Sequence, residues 1–142
     1  MSTGTLNYES VEVGDKLPSV DIEITPALII AGAVASRDFT PAHHDSKAAQ
    51  AAGLPDIYMN IVTSNGLMGR FVTDWSGPDA TLREIDIRLG APNLPGMVMT
   101  ISGEVKAKQD DDSVVEVEVV GENNVWGMHM SGTVRVALPQ EN

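Results

Sequence analysis

The sequence predicts an α+β fold in which an antiparallel sheet wraps around one long central helix. Four segments between Leu82 and Val136 alternate apolar and polar residues and are joined by turn-length connections. Ahead of them, Tyr58 to Trp75 repeats apolar residues at helical steps and carries further apolar residues off that stripe, as a helix buried on most sides does. A helix of that kind and a sheet with one apolar face bury each other most economically when the sheet curls around the helix.

In chain order, Met1 to Leu17 reads as a loose lead-in with a turn at Val13-Gly14-Asp15. Ser19 to Thr25 sets Val20, Ile22 and Ile24 against Asp21, Glu23 and Thr25, the period of a strand with one buried face. Thr25-Pro26 then starts a helix, because threonine caps free amides and proline is preset for the first helical position. That helix runs through Leu28, Ile29, Ile30, Ala33 and Val34 to about Ser36. Pro41 stops any continuation and biases Thr40 toward an extended conformation, so Asp38 to His44 is expected to be a non-helical loop. Asp45 caps a short helix, Ser46 to Ala52, that ends at Gly53 and gives the loop its second support.

The long helix places Ile61, Asn65, Met68, Val72 and Trp75 on one stripe, with Val62, Leu67 and Phe71 beside it. Glycine inside a helix costs about 1 kcal/mol relative to alanine, so Gly66 is read as a close approach by another backbone. Ser76-Gly77-Pro78 ends the helix. The strands that follow carry Leu82, Ile85, Ile87 and Leu89; then Met97, Met99, Ile101 and Val105; then Val115, Val117 and Val119; and finally Trp126, Met128, Met130, Val134 and Val136 on one face. Their short connections predict an antiparallel meander. The whole is the hot-dog arrangement, with residues 1–142 as one domain.

Composition excludes several functions. The chain has no cysteine, which removes disulfides, thiolate nucleophiles and thiolate metal ligands, and makes a reducing cytoplasm the expected location. Twenty acidic against nine basic residues give a net charge of −11, which repels nucleic acid and anionic membranes. A few cations, among them Arg83, Arg88 and Lys106, remain to meet the phosphates of a small anionic ligand, although strand-face cations are more often merely solvated. The polar start of the chain has no secretory pattern, and the longest apolar run, Ala27 to Ala35, is too short to cross a bilayer.

The chemistry concentrates in Ala35 to Asp45. Asp38 and His43 lie five residues apart with Pro41 between them, so a turn can bring both side chains to one water for acid and base work. A structural reading stands beside this one: an aspartate capping the loop and a histidine satisfied by a backbone carbonyl. A metal site built from Asp38, His43, His44 and Asp45 is disfavoured, because adjacent residues of an extended segment point to opposite sides. His129 has the parity of Gly127, Ser131 and Arg135 and is expected to face outward from the last strand. Neither Ser64 nor Ser131 sits in a nucleophile elbow. The start of the long helix, near Met59, Asn60 and Ile61, offers free amides and a dipole that favour developing negative charge.

Ser36-Arg37-Asp38-Phe39-Thr40-Pro41-Ala42-His43, followed by Ala48 and Ala49, resembles the signature loop of the MaoC-like, (R)-specific enoyl-CoA hydratases, which are hot-dog proteins. The similarity extends through Ala52-Gly53-Leu54-Pro55, the helix near Asn60, Arg88 and Pro95-Gly96. More narrowly, Arg37-Asp38-Phe39, His43-His44-Asp45, Asp56-Ile57, Asn60-Ile61 and Val72 to Pro78 resemble the small subunits of bacterial steroid side-chain enoyl-CoA hydratases. The resemblance implies Asp38 and His43 as the catalytic pair, and Asn60, Ile61, Thr40 and Arg88 as oxyanion or substrate-binding positions. It also implies hydration of a trans-2-enoyl-CoA with a steroid-derived acyl chain to the 3-hydroxyacyl-CoA, without a metal or other cofactor, in a heterodimer or heterotetramer with a second hot-dog chain. Arg37, Thr40, Asn60 and Met97 depart from the general hydratase pattern, which points to a pocket completed by that partner. A thioesterase on the same fold, or a non-catalytic subunit that stabilises a partner, are the alternatives.

Overall fold

The computed structural model describes residues 4–141; the first three residues of the lead-in, and Asn142, lie outside this range. The elements are β1 (Lys16–Glu23), α1 (Pro26–Ala35), α2 (Ser46–Ala51), α3 (Ile61–Ser76), β2 (Thr81–Leu89), β3 (Val98–Gln109), β4 (Val114–Asn123) and β5 (Gly127–Ala137), with single 3-10 turns at Tyr8–Ser10 and Pro41–His43. The five strands form one antiparallel sheet in the order β1-β3-β4-β5-β2. α3 lies against its apolar face, where Met68, Phe71 and Val72 meet a core that includes Met99, Ile101, Val105, Val117, Val119, Met130 and Val134. Fully burying one such side chain stabilises the fold by about 1.5–3 kcal/mol, so these contacts set where α3 sits.

The helix ends follow local chemistry. The Thr25 side chain accepts from the Leu28 amide with Pro26 in the first turn, and Asp45 accepts from the amides of Lys47 and Ala48. α3 begins at Ile61, later than the sequence predicts, because Asn60 takes the cap position and its side chain accepts from the Thr63 amide. The predicted loop between α1 and α2 does contain one helical element, the 3-10 turn Pro41–His43, which buries Ala42 and His43.

Four expectations are corrected. The four C-terminal strands are not one meander: only β3, β4 and β5 are, while β2 pairs with β5 on the far edge and β1 takes the free side of β3. The chain leaves β1 on one edge, crosses the face as α3 and descends as β2 on the other. The connection from Gly90 to Met97 has only to span about 14 Å, three strand spacings, which eight residues cover easily. The lead-in is not loose either, since Tyr8, Val11 and Leu17 join the core and Lys108 donates to the carbonyls of Tyr8 and Val11. On β1, Val20 and Ile22 face an apolar groove of about 680 Å³ beside Leu67, Phe71 and Trp75, and only Ile24 of the predicted face is fully buried. Finally, no other backbone approaches Gly66 closely within the described residues.

Candidate active site

Asp38 follows α1 directly, and the turn that delivers it is tight. Arg37 adopts a left-handed backbone (φ 56°), and the Asp38 amide then donates back to the Ala33 carbonyl at 2.9 Å. A non-glycine residue in this region carries a conformational cost, and such costs concentrate where a side chain must be aimed. His43 closes the same loop from the 3-10 turn. Its Nε2 lies 3.2 Å from Asp38 Oδ2, its side chain is 7% exposed, and that of Asp38 is 28% exposed. The sequence-predicted pair therefore meets.

The surroundings determine what this pair can do. His43 Nδ1 is 2.7 Å from the Tyr58 carbonyl, which can only accept, so Nδ1 carries a proton. The Tyr58 ring meets the imidazole edge-on with centroids 4.6 Å apart and fixes its plane. In neutral His43 the bare Nε2 then faces the Asp38 carboxylate. Two acceptors at this distance need a shared proton, supplied either by an imidazolium or by a water that donates to both.

Asp38 is itself well held. Oδ1 accepts from the Thr40 amide and hydroxyl, at 3.2 and 2.7 Å, and Oδ2 accepts from Asn60 Nδ2 at 3.0 Å. Chiefly through the Thr40 hydroxyl and the Asn60 amide, these bonds lower the Asp38 pKa to about 2, from an ordinary 3.8. A folded-state pKa below the unfolded one means stability that is present above pH 3.8 and lost as pH falls toward 2. Acid unfolding followed by circular dichroism should accordingly show a shallower loss over that window for Asp38→Asn than for the unaltered chain.

Asn60 does more than the sequence indicates. Its side-chain oxygen accepts from Thr63 N and Oγ1, while its nitrogen donates to Ser36 Oγ at 2.9 Å and to Asp38. One buried amide thus joins the start of α3 to the end of α1 and to the carboxylate. The side chain is fully used, and the backbone amides of Asn60, Ile61 and Val62 have no partner among the described residues. They form the anion-favouring end of α3.

The pair opens into a cavity of about 310 Å³, lined also by Tyr58, Met59, Asn60, Ile61, Leu89, Gly90, Pro92 and His129. Of the predicted substrate-side positions, Asn60 and Ile61 line it. Thr40 instead holds Asp38 from behind, and Arg88 stands exposed on β2, one residue before the cavity wall. His44 is exposed and Asp45 caps α2, so neither joins the pair. Among the described residues, no group of three or more histidine or carboxylate side chains could hold a metal ion.

His129 does not face outward as its parity predicts: it is 2% exposed. β4 pairs Gly121 with Met130 and Glu122 with Met128, leaving His129 as the extra residue of a β-bulge, which reverses the alternation and turns its ring inward. Met128 and Trp126 are in turn exposed. Tyr58, Ser36, Ser64 and Gly90 also take places in or behind the site that sequence reasoning did not assign.

Comparison with known proteins follows the same geometry. The model of the MaoC-like domain matches residues 10–138. The chain belongs to the MaoC-like domain family. It is similar to the 3-oxo-4,17-pregnadiene-20-carboxyl-CoA hydratase beta subunit of Mycobacterium tuberculosis (strain ATCC 25618 / H37Rv), at 42% identity over 126 residues, which is 89% of this chain and 95% of that one. Among solved structures of this MaoC-like type, the ChsH1-ChsH2 complex of M. tuberculosis contains a chain that matches with a TM-score of 0.85 and 42% identity, over 89% of this chain and 98% of that one. The R-hydratase PhaJ1 of Pseudomonas aeruginosa matches equally well in shape, TM-score 0.85, over 96% of this chain and 88% of that one; at 21% identity it supports the hot-dog fold alone. No helix among the described residues is long and apolar enough to cross a membrane.

Proposed function

We propose that this chain is the small subunit of a hetero-oligomeric enoyl-CoA hydratase and adds water across the double bond of a trans-2-enoyl-CoA with a steroid-derived acyl group. The observation that carries this reading is the Asp38–His43 contact of 3.2 Å beside the open amides of α3, with the histidine tautomer set by Tyr58. A water beside the pair donates to both. As its oxygen bonds to C3 of the enoyl group, its proton passes to Asp38, and the electron pair moves onto the thioester oxygen. The amides of Asn60 and Ile61 hold that oxygen's charge. The proton on Asp38 then crosses to Nε2, and the His43 imidazolium so formed delivers it to C2, which returns the pair to its starting state. Only water enters and both its hydrogens stay in the product, so the reaction needs no redox group, and the pair with the α3 amides supplies its acid, its base and its charge stabilisation; coenzyme A is part of the substrate.

The acyl class rests on the similarity to the M. tuberculosis beta subunit, whose named substrate has, besides the double bond at C4, one at C17 next to the C20 that bears the thioester carbon. Oxygen would then add at C17. A second hot-dog chain fits the open edge of β2, which among the described residues has β5 as its one neighbour, and the half-exposed Ile61 and Leu89 at the cavity. A covered apolar rim would exclude water and strengthen the charge interactions inside.

The test is to co-express the chain with the products of neighbouring open reading frames, purify the complex, and follow loss of the enoyl-thioester absorbance. Both 3-oxo-4,17-pregnadiene-20-carboxyl-CoA and a short trans-2-enoyl-CoA are offered. Hydration of the steroid thioester with weak turnover of the short one is expected. Release of free thiol would replace the hydratase by a thioesterase, and an inert but intact complex would make this a structural subunit.

A further inference from the structure

The bulge that turns His129 inward places a buried imidazole between three elements of the cavity wall. Its Nδ1 is 2.7 Å from the Ala91 carbonyl and its Nε2 is 2.7 Å from Ser64 Oγ, one helical turn past Asn60. A carbonyl only accepts, so Nδ1 carries the proton, Nε2 is bare, and the Ser64 hydroxyl donates to it. Burial also lowers the His129 pKa, which favours this neutral form. Beside the ring, the Gly90 amide donates to the His129 carbonyl at 2.7 Å and the Ala91 amide to Met128 at 2.9 Å. A Cβ at Gly90 would strike the Met128 carbonyl, so the turn after β2 sits hard against the bulge.

We propose that His129, acting through Ser64, is a positioning residue that sets the depth of the α3 amino end in the cavity. The proposal rests on the hydratase reading, in which the amides of Asn60 and Ile61 hold the enolate oxygen. Both ring nitrogens of His129 are engaged, and Ser64 is fully buried with its single proton directed at the ring nitrogen 2.7 Å away rather than at the Asn60 carbonyl at 3.3 Å, so neither is left to react with substrate. What the pair controls is where the first turn of α3 lies relative to β5 and the Gly90 turn. Two hydrogen bonds from Asn60 hold that turn from the α1 side, and the Met59 amide ties the residue before it to the Asn93 carbonyl of the connection after β2. The Ser64–His129 bond fixes it against the sheet, and a shift in this setting moves the oxyanion donors away from the reacting carbonyl while leaving Asp38 and His43 in place.

The experiment uses the assembled complex with Ser64→Ala, His129→Gln and the double variant. Ser64→Ala keeps helix propensity and removes only the hydroxyl, so folding is retained. Its kcat is expected to fall about tenfold with KM within about twofold, since a small displacement of reacting groups is read in the transition state. The double variant should lose no more than the worse single one, because the two residues act as one unit. Ser64→Ala with full kcat, a change in KM alone, or losses that multiply in the double variant would overturn the proposal. Hydrogen exchange of the peptide spanning residues 58–64 separates this outcome from failure of the hydratase reading. If the unaltered complex hydrates nothing, faster exchange there in Ser64→Ala at unchanged melting temperature still supports the positioning role. Unchanged exchange refutes it.

Discussion

Asp38→Asn in the assembled complex is expected to lower kcat by about three orders of magnitude, as loss of a positioned acid or base does, while the fold persists. The reason lies in the hydrogen-bond inventory. An asparagine oxygen can still accept from Thr40, but the amide nitrogen placed toward Asn60 and His43 cannot take a proton from water, and it meets the Asn60 donor as a second donor. His43→Ala should cost a comparable factor by removing the group proposed to deliver a proton to C2. It also frees the Tyr58 carbonyl and leaves a void beside the Tyr58 ring. If the two residues act on one water, as proposed, the double variant should be little worse than either single one. Steady-state kinetics with the steroid thioester measure all three. Full activity in both Asp38→Asn and His43→Ala would remove this pair from the chemistry.

The second large effect is expected at a residue that touches no substrate. Gly32 lies where α1 crosses α3, and a Cβ there would collide with the Thr63 hydroxyl and stand 2.9 Å from Thr63 Cγ2 and 3.1 Å from its Cβ. Rotating Thr63 does not relieve this, since its Cβ is part of the clash and its hydroxyl is bonded to Asn60 at 2.6 Å. Gly32→Ala should therefore push α1 off α3, stretch the Asn60 bonds to Ser36 and Asp38, and cost about 1–3 kcal/mol in stability, as overpacking does. Asp38 moves with the end of α1, so kcat should fall by about 10–100-fold. Adding Thr63→Ala removes both offending side-chain branches and should restore part of the stability and part of the rate. Chemical denaturation and the hydration assay on the two variants decide the matter; no recovery in Gly32→Ala/Thr63→Ala would mean that the crossing does not set the site.

How much of this was legible in the sequence depends on how far each feature reaches along the chain. Thr25-Pro26, Asp45 and Pro41 mark their boundaries through contacts within three or four residues, and the helices and the active loop fall where those residues put them. The period-two alternation of Val115, Val117 and Val119 likewise gives the correct buried face, because β4 is central and paired on both sides throughout. Asp38 and His43 could be singled out because five residues and a proline suffice to bring them together.

The failures share one cause. Alternation predicts a face only while the register holds, and a single extra residue at position 129 exchanges His129 with Met128. Nothing near it in sequence announces the bulge, since the partner that defines it, the Gly121–Glu122 pair, lies on another strand. The placement of β2 beside β5 rather than β3 depends on α3 crossing the sheet, and Val20 lost its expected burial because β1 is an edge beside an open groove. Asn60 stands inside the helix that the sequence predicts but caps α3 instead; that its nitrogen also holds Asp38, 22 residues earlier, depends on the α1–α3 crossing at Gly32. The sequence by itself determined the fold class, the ends of α1 and the start of α2, and the loop that brings Asp38 to His43, because these follow from local hydrogen-bonding and burial preferences. Only the tertiary structure decided the proton on His43, the ionised state of Asp38 and the inward turn of His129, because each is set by a donor or acceptor from a distant part of the chain.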